Sequence, residues 1–281
     1  MERLTPEAAR PGRPVAHAVI GYGRLARALV PALQAAGERV LIGRRSARGG
    51  ELTAADAAAQ ADWVWLTVPD DHIAATAAAL PWRVGQLALH CSGATPLAAL
   101  APAPAAAGFH PLKLLAGDAG LAGAHVGIEA GDAHRPALLA LARALGLVPL
   151  PLPSPMGAGA RAAYHAAANL AASGVLAVLA EAQALWTAAG LDSAEALPAL
   201  APLTRGALDA ALARGLAGAV SGPIARGDAG VLARHLEALA VAGLDAGLLR
   251  ELGLRQLALA TAAGRLDVAQ ATALRALLQG R

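Results

Sequence analysis

The sequence predicts two domains, an α/β domain built on a mostly parallel sheet and then an all-α domain. Through the first half, short apolar runs alternate with helical segments, the pattern of repeated βαβ units. Past "PLPSPMG" (151–157) only helical periodicity remains. The expected boundaries are a tail over 1–13, the α/β domain over 14–153 and the helical domain over 156–281. A chain of 281 residues has room for two such cores. Hydrophobic residues make up 56% of it, but with one Phe and two Tyr much of that share is Ala, which favours helices and close helix packing.

Taken in order, "PVAHAVIG" reads as a buried strand and "RLARALVPALQAAG" as a helix. Pro31 counts against regularity there, because an interior proline costs about 3 kcal/mol and kinks the helix. "RVLIG" is the second strand, and "DWVWLTVP", "LALHCSG", "HVGIEAG" and "LVPLPL" are further strands. Between them lie helical or loop segments such as "DDHIAATAAAL", "TPLAALAPAPAAAG" and "HRPALLALARALG". From Arg161 on, the helical pattern breaks at Gly190, Pro198, Gly215–Pro223, Gly243 and Gly264. No repeat with a period of about 20–50 residues marks a solenoid.

The net charge of +3 is spread along the chain, without a basic stripe interleaved with aromatics, so no nucleic-acid partner is expected. Cys91 stands alone, which excludes an internal disulfide framework and a cysteine zinc cage; no metal is expected. The charged, Pro-rich start lacks the apolar core of a secretory signal, and a cytoplasmic protein is expected. Residues 162–180 carry no formal charge for long enough to suggest a membrane span. Their bulk is Ala, and His165, Asn169 and Ser173 interrupt them, so a buried helix is the better reading and no membrane partner is expected.

"VIGYGRLA" sets Gly21, Gly23 and Ala26 at the spacing of a dinucleotide-binding turn, directly after the first strand and opening the first helix. Gly21 suits the tight turn, Gly23 the approach of a pyrophosphate to helix N–H groups, and Ala26 close helix–strand packing. Tyr22, Arg24 and Leu25 complete this candidate cofactor turn, and the domain reads as Rossmann-like. An NAD site wants an acid about 20 residues on, for the ribose 2′-hydroxyl. Here stand Arg44, Arg45 and Ser46, with no acid before Glu51. Two guanidiniums and a hydroxyl suit a 2′-phosphate, so the expected cofactor is NADP, against the blander reading of a solvated basic loop.

Val68 and Pro69 end the next strand and would lie along the cofactor, while Asp70 and Asp71 are expected to cap the following helix. Ser92 and Gly93 sit at the next strand tip, facing the crevice, ahead of a helix start at Thr95–Pro96. "GFHPLK" brings His110 and Lys113 together, as substrate-binding residues or as a structural His-Pro turn. In the helical half, Arg161, His165, Asn169 and Ser173 recur every four residues as one polar row. Without formal charge over residues 162–180, that row reads as a site wall, with His165 as the general acid/base and Tyr164 as second choice. In "SGPIARGD", Asp228 is the N-cap of the next helix. Arg226 either clamps an acidic substrate or pairs with Asp228 or a partner chain's carboxylate.

"GYGRLA", "TVPDDHI", "LHCSG", "FHPLK", "AAYHAAA" and "SGPIARGD" occur in the order found in one family, which the chain resembles from about residue 15 to 240. That family joins a Rossmann-like domain to a C-terminal helical domain of unknown function (2520). It is similar to the 6-phosphogluconate dehydrogenase-like superfamily, alongside pyrroline-carboxylate and ketopantoate reductases. The resemblance implies an NADP-type cofactor, a homodimer through the helical domain and an active site between the domains, without naming a substrate. The chain departs from the pattern in having Ala172–Ser173 where relatives have Ser-Asn. It also has no lysine on the helix that supplies one in many superfamily enzymes, which throws the proton chemistry onto His165. The expectation is an NADP(H)-dependent oxidoreductase moving hydride to or from a small carbonyl or imine, including an acidic one. The alternative is a non-catalytic NADP-binding sensor or scaffold.

Overall fold

In the computed structural model, which describes residues 15–115 and 120–280, the first apolar run forms β1 (Ala16–Ile20), buried at every position. The expected 1–13 tail lies outside the described residues. The elements that follow are α1 (Arg24–Ala35), β2 (Arg39–Arg44), β3 (Leu52–Thr53), α2 (Ala54–Ala59), β4 (Trp63–Leu66), α3 (Ile73–Ala79) and β5 (Leu87–His90). Then come β6 (Ala105–Pro111), β7 (His125–Ala130), α4 (Arg135–Ala144), β8 (Val148–Pro151) and α5 (Ala158–Asn169). The eight strands form one sheet in the order β3-β2-β1-β4-β5-β6-β7-β8, parallel throughout except for β6 against β7.

Strand alternation sorts the core into two layers. Val19, Trp65, Leu89 and Phe109 face one way, under Leu29 and Leu33 of α1 and Leu138 and Leu141 of α4. Ala18, Ile20, Val64, Leu66 and Ala88 face the other way, against Ala57 of α2 and Ile73 and Ala77 of α3. Trp65 stacks edge-on to Phe109 at 5.1 Å and donates its indole N–H to His17 Nδ1 at 2.8 Å, which satisfies the one polar atom it buries.

Three expectations about the elements need correction, and one pair of elements was not foreseen. "APAPAAAGFHP" supplies a strand, not a helix or a turn: Ala105 to Gly108 pair with Leu87 to His90. Pro102 and Pro104 withhold the N–H donors of a helix, and the small side chains fit the layered sheet, so pairing overrides alanine's helix preference. A short β3 precedes α2 and carries its cap, Thr53, which accepts from Asp56 N. Helix α1 runs on through Pro31, since burial of Ala26, Leu29, Val30 and Leu33 outweighs the lost bond. Pro198 likewise fails to break its helix.

The chain divides into two compact units, 1–172 and 173–281, one helix later than the expected 153/156 boundary. Helix α5 goes with the sheet because Arg161 and Tyr164 are bound to β-strand residues. The second unit holds α6 (Val175–Ala188), α7 (Ser193–Ala219), α8 (Ala229–Val241), α9 (Gly247–Ala262) and α10 (Val268–Leu278). Its core is Ile224, Leu232, Leu257, Leu274 and Leu278. Asp192, Asp228 and Asp267 each cap a helix, and the long α7 breaks only at Gly215, which takes a left-handed φ of 72°.

The helical stretch 159–188 is long and apolar enough to cross a membrane by length and composition alone. It is not the buried helix expected: α6 has no buried residue, and Leu170 and Leu176 are 73% and 60% exposed. Alanine's small side chain covers little, and within the single chain this face has no apolar layer over it.

Candidate functional site

At the carboxyl end of β1 the chain turns at Gly21 with φ of 92°. A Cβ there would lie 3.1 Å from the Thr67 carbonyl oxygen, so conformation and space both demand glycine. Thr67 donates its hydroxyl to the carbonyls of Ile20 and Gly21, at 3.0 and 2.8 Å, tying β4 to the turn. Gly23 caps α1 with nothing within 4 Å of where a Cβ would be, and no acid occupies the first turn. Ala26 is fully buried, as the fingerprint requires. The turn therefore presents unobstructed helix N–H groups to an anion.

Beside it opens a cavity of about 620 Å³, lined among others by Gly21, Arg44, Arg45, Val68, Pro69 and His72. Arg44 lies 5.6 Å over the Tyr22 ring, and its Nε binds Glu51 Oε1 at 2.7 Å. Arg24 and Ser46 are exposed and Leu25 packs into the core. Ser46 is not part of the lining.

The tips of β4, β5 and β6 carry the second group of residues. Asp70 follows β4, Ser92 and Gly93 follow β5, and His110 lies near the end of β6. Asp70 does not cap a helix as expected; its Oδ2 accepts the Ser92 hydroxyl at 2.6 Å. Asp71 instead meets His72 Nδ1 at 2.7 Å. Ser92 Oγ in turn accepts from Ala94 N and Thr95 N, at 3.1 and 2.9 Å, so this hydroxyl shapes the strand tip. The region around Leu97 makes only a single 3-10 turn.

Helix α5 brings Tyr164 and His165 to the same place. Tyr164 Oη lies 2.9 Å from His110 Nδ1, and the rings of His110 and His165 are 6.2 Å apart. A Cβ on Gly93 would stand 2.7 Å from His110 and 2.8 Å from His165, so glycine is what lets both imidazoles close on the strand tip. Burial, aided by the neighbouring His165 and Arg161, pushes His110 down to about 4. Tyr164 is held above its ordinary range by burial, against the pull of Arg161. Near neutral pH the pair is therefore a neutral imidazole against a protonated phenol, able to relay a proton.

Beneath lies a buried ion pair, Arg161 with Glu129, whose side chains are 2% and 1% exposed. Arg161 also donates to the carbonyls of Ser92 and Gly93, both at 3.4 Å, and Glu129 Oε1 accepts Met156 N at 2.7 Å. One pair thus joins β7, the β5 tip, the segment before α5 and α5 itself. His90 is wholly buried, and burial, with the Arg161 charge, pushes it down to about 4. His17, 1% exposed, is pushed down to about 4 by burial as well.

His17, His90 and His110, all pushed down to about 4, set a pH dependence. An unfolded histidine takes its proton near 6.5, whereas these resist it until about 4. Their contribution is complete above pH 6.5 and is lost as pH falls toward 4, roughly 3 kcal/mol for each residue. Urea unfolding at pH 7 and at pH 4.5 measures it. Equal stability at the two would contradict the assignment.

Of the expected polar row, Arg161 is buried and His165 joins the cluster, while Asn169 and Ser173 are exposed. A π-turn over Leu170–Gly174 breaks the four-residue register there. Lys113 is exposed, its Nζ donating to the Ala122 carbonyl at 3.4 Å. Asp228 caps α8 by accepting Val231 N at 2.9 Å, and no ion pair joins it to Arg226 among the described residues. Arg226 is exposed on the 3-10 turn Ile224–Arg226 of the second unit. Sequence reasoning missed Glu129 and His90. The signal was present in "HVGIEAG", where a carboxylate inside a buried strand must have a partner.

Residues 124–256 match the family model described as a domain of unknown function (DUF2520). The match begins at β7, so Glu129, Arg161, Tyr164 and His165 all fall within it. Among curated proteins none matches the chain.

Solved structures resemble it at low identity. Protein TM1727 from Thermotoga maritima is 22% identical with a TM-score of 0.67, over 88% of this chain and 98% of its own. A reductive aminase from Aspergillus terreus, in complex with NADPH and ethyl levulinate, is 18% identical with a TM-score of 0.62, over 93% and 99%. An imine reductase from Streptomyces aurantiacus is 19% identical with a TM-score of 0.61, over 92% and 99%. These likenesses show a shared fold, an N-terminal Rossmann-like sheet followed by a largely helical region.

Proposed function

We propose that this protein is an NADP(H)-dependent oxidoreductase that reduces, or forms by oxidation, a small imine or carbonyl compound. One observation carries the reading. The open glycine turn at α1 and the His110–Tyr164–His165 cluster both lie at the carboxyl ends of strands in one parallel sheet, where such sheets bind ligands. The residues fit the cofactor: Gly21 and Gly23 leave room for a pyrophosphate on the α1 N–H groups, and Arg44 and Arg45 line the adjoining cavity as partners for a 2′-phosphate. Val68 and Pro69 wall that cavity.

The bound nicotinamide supplies the hydride. The chain supplies position and a proton. His165, exposed to solvent, exchanges that proton, and His110 with Tyr164 fixes its surroundings. Ser92 and Asp70 hold the strand tip that Gly93 leaves open. Two of the similar structures are named for reactions at C=N bonds, which favours an imine acceptor. Consumption of NADPH on addition of cyclic imines or of ketone–amine mixtures tests the proposal; tight binding with no turnover on any of them would favour a sensor instead.

Homodimerisation through the second unit belongs to the same proposal. Leu203, Leu208, Leu212 and Leu216 of α7 are all at least 60% exposed, an apolar load that a self-complementary partner would cover. Light scattering on the 27.8 kDa chain should give twice that mass at micromolar concentration. A monomer would contradict it.

A further inference from the structure

Glu51 is the first acid after the two arginines, and it engages with both oxygens. Its Oε1 binds Arg44 Nε at 2.7 Å, and its Oε2 accepts Arg48 N at 3.1 Å. Its own N–H donates to the Arg48 carbonyl at 3.1 Å, so the β2–β3 loop is closed around this carboxylate. Arg44 lines the cavity, and its guanidinium is already partnered there. Arg45 lines the same cavity with no ion pair among the described residues.

From this we infer that Glu51 sets how strongly the cavity discriminates a 2′-phosphate, by occupying the guanidinium that would bind it. The inference rests on the cofactor reading above and deepens it. A cofactor with a free 2′-hydroxyl leaves the Arg44–Glu51 pair undisturbed. A dianionic 2′-phosphate must share the Arg44 guanidinium with Glu51 or displace Glu51 from it. The two side chains are 43% and 38% exposed, so the pair itself is weak and exchangeable. Competition for that guanidinium is what limits selectivity, and Arg45 supplies the selectivity that remains.

The test measures dissociation constants of NADPH and NADH, by tryptophan fluorescence and calorimetry. The proteins are the unaltered chain, Glu51→Gln, Arg44→Ala and the double variant. Glu51→Gln should tighten NADPH about 3–10-fold and move NADH less than about twofold, as expected for freeing one guanidinium from a partly screened ion pair. In the Arg44→Ala background the gain should vanish, because Glu51 acts through that guanidinium. An unchanged or lowered NADPH preference in Glu51→Gln, or a gain that persists without Arg44, overturns the inference. If the unaltered chain binds neither nucleotide, the cofactor reading itself falls; if it binds them and the ratio ignores Glu51, only this inference does.

Discussion

Replacing Arg161 with methionine should cost the first unit about 3–5 kcal/mol, because it strands the Glu129 carboxylate where water cannot reach it. The same substitution removes the donors to the Ser92 and Gly93 carbonyls. Glu129→Met alone should cost a similar amount by stranding the guanidinium. The double variant should recover much of the loss, since an apolar pair of similar volume needs no desolvated charge. Urea unfolding of the four proteins measures this coupling. Additive losses would mean that the two side chains are stabilised independently.

His165→Ala should lower turnover about 10²–10⁴-fold, the usual worth of a positioned acid or base, while NADPH binds as before. Its exposure keeps the separation clean: the ring packs on the Gly93 strand tip at the crevice surface, so the loss of stability should be small beside the loss of turnover. Tyr164→Phe is the instructive comparison. It keeps the ring and deletes the partner of His110 Nδ1, so a smaller loss there would place the proton on His165. Unchanged turnover in His165→Ala would reduce that residue to a wall of the crevice.

What the sequence revealed was local. The glycine turn was legible because Gly21, Gly23 and Ala26 constrain one strand–turn–helix, and no distant residue decides its shape. The cap at Asp228 was legible for the same reason. Asp70 was misread because a carboxylate after a strand can cap a helix or accept a hydroxyl, and the choice fell to Ser92, from another strand. Strand β6 was hidden by alanine, which fits either secondary structure until β5 pairs with it. The Glu129–Arg161 pair joins β7 to α5, and only the burial of Glu129 in its strand hinted that a partner existed. The stretch 162–180 was expected to be buried because it lacks charge, yet it holds no buried residue; lack of charge shows what a helix avoids, not what covers it.

The central claim is that the turn at Gly21–Ala26 and the cavity beside it hold a nicotinamide dinucleotide by its 2′-phosphate end. Calorimetric titration of the unaltered chain and of Arg44→Ala/Arg45→Ala with NADPH and NADH tests it most directly. The account predicts one site per chain and tighter binding of NADPH than of NADH. It also predicts a loss of about 10–100-fold for NADPH alone in the double variant, the worth of a charged bidentate contact. No heat with either nucleotide, or NADPH binding indifferent to both arginines, would contradict it.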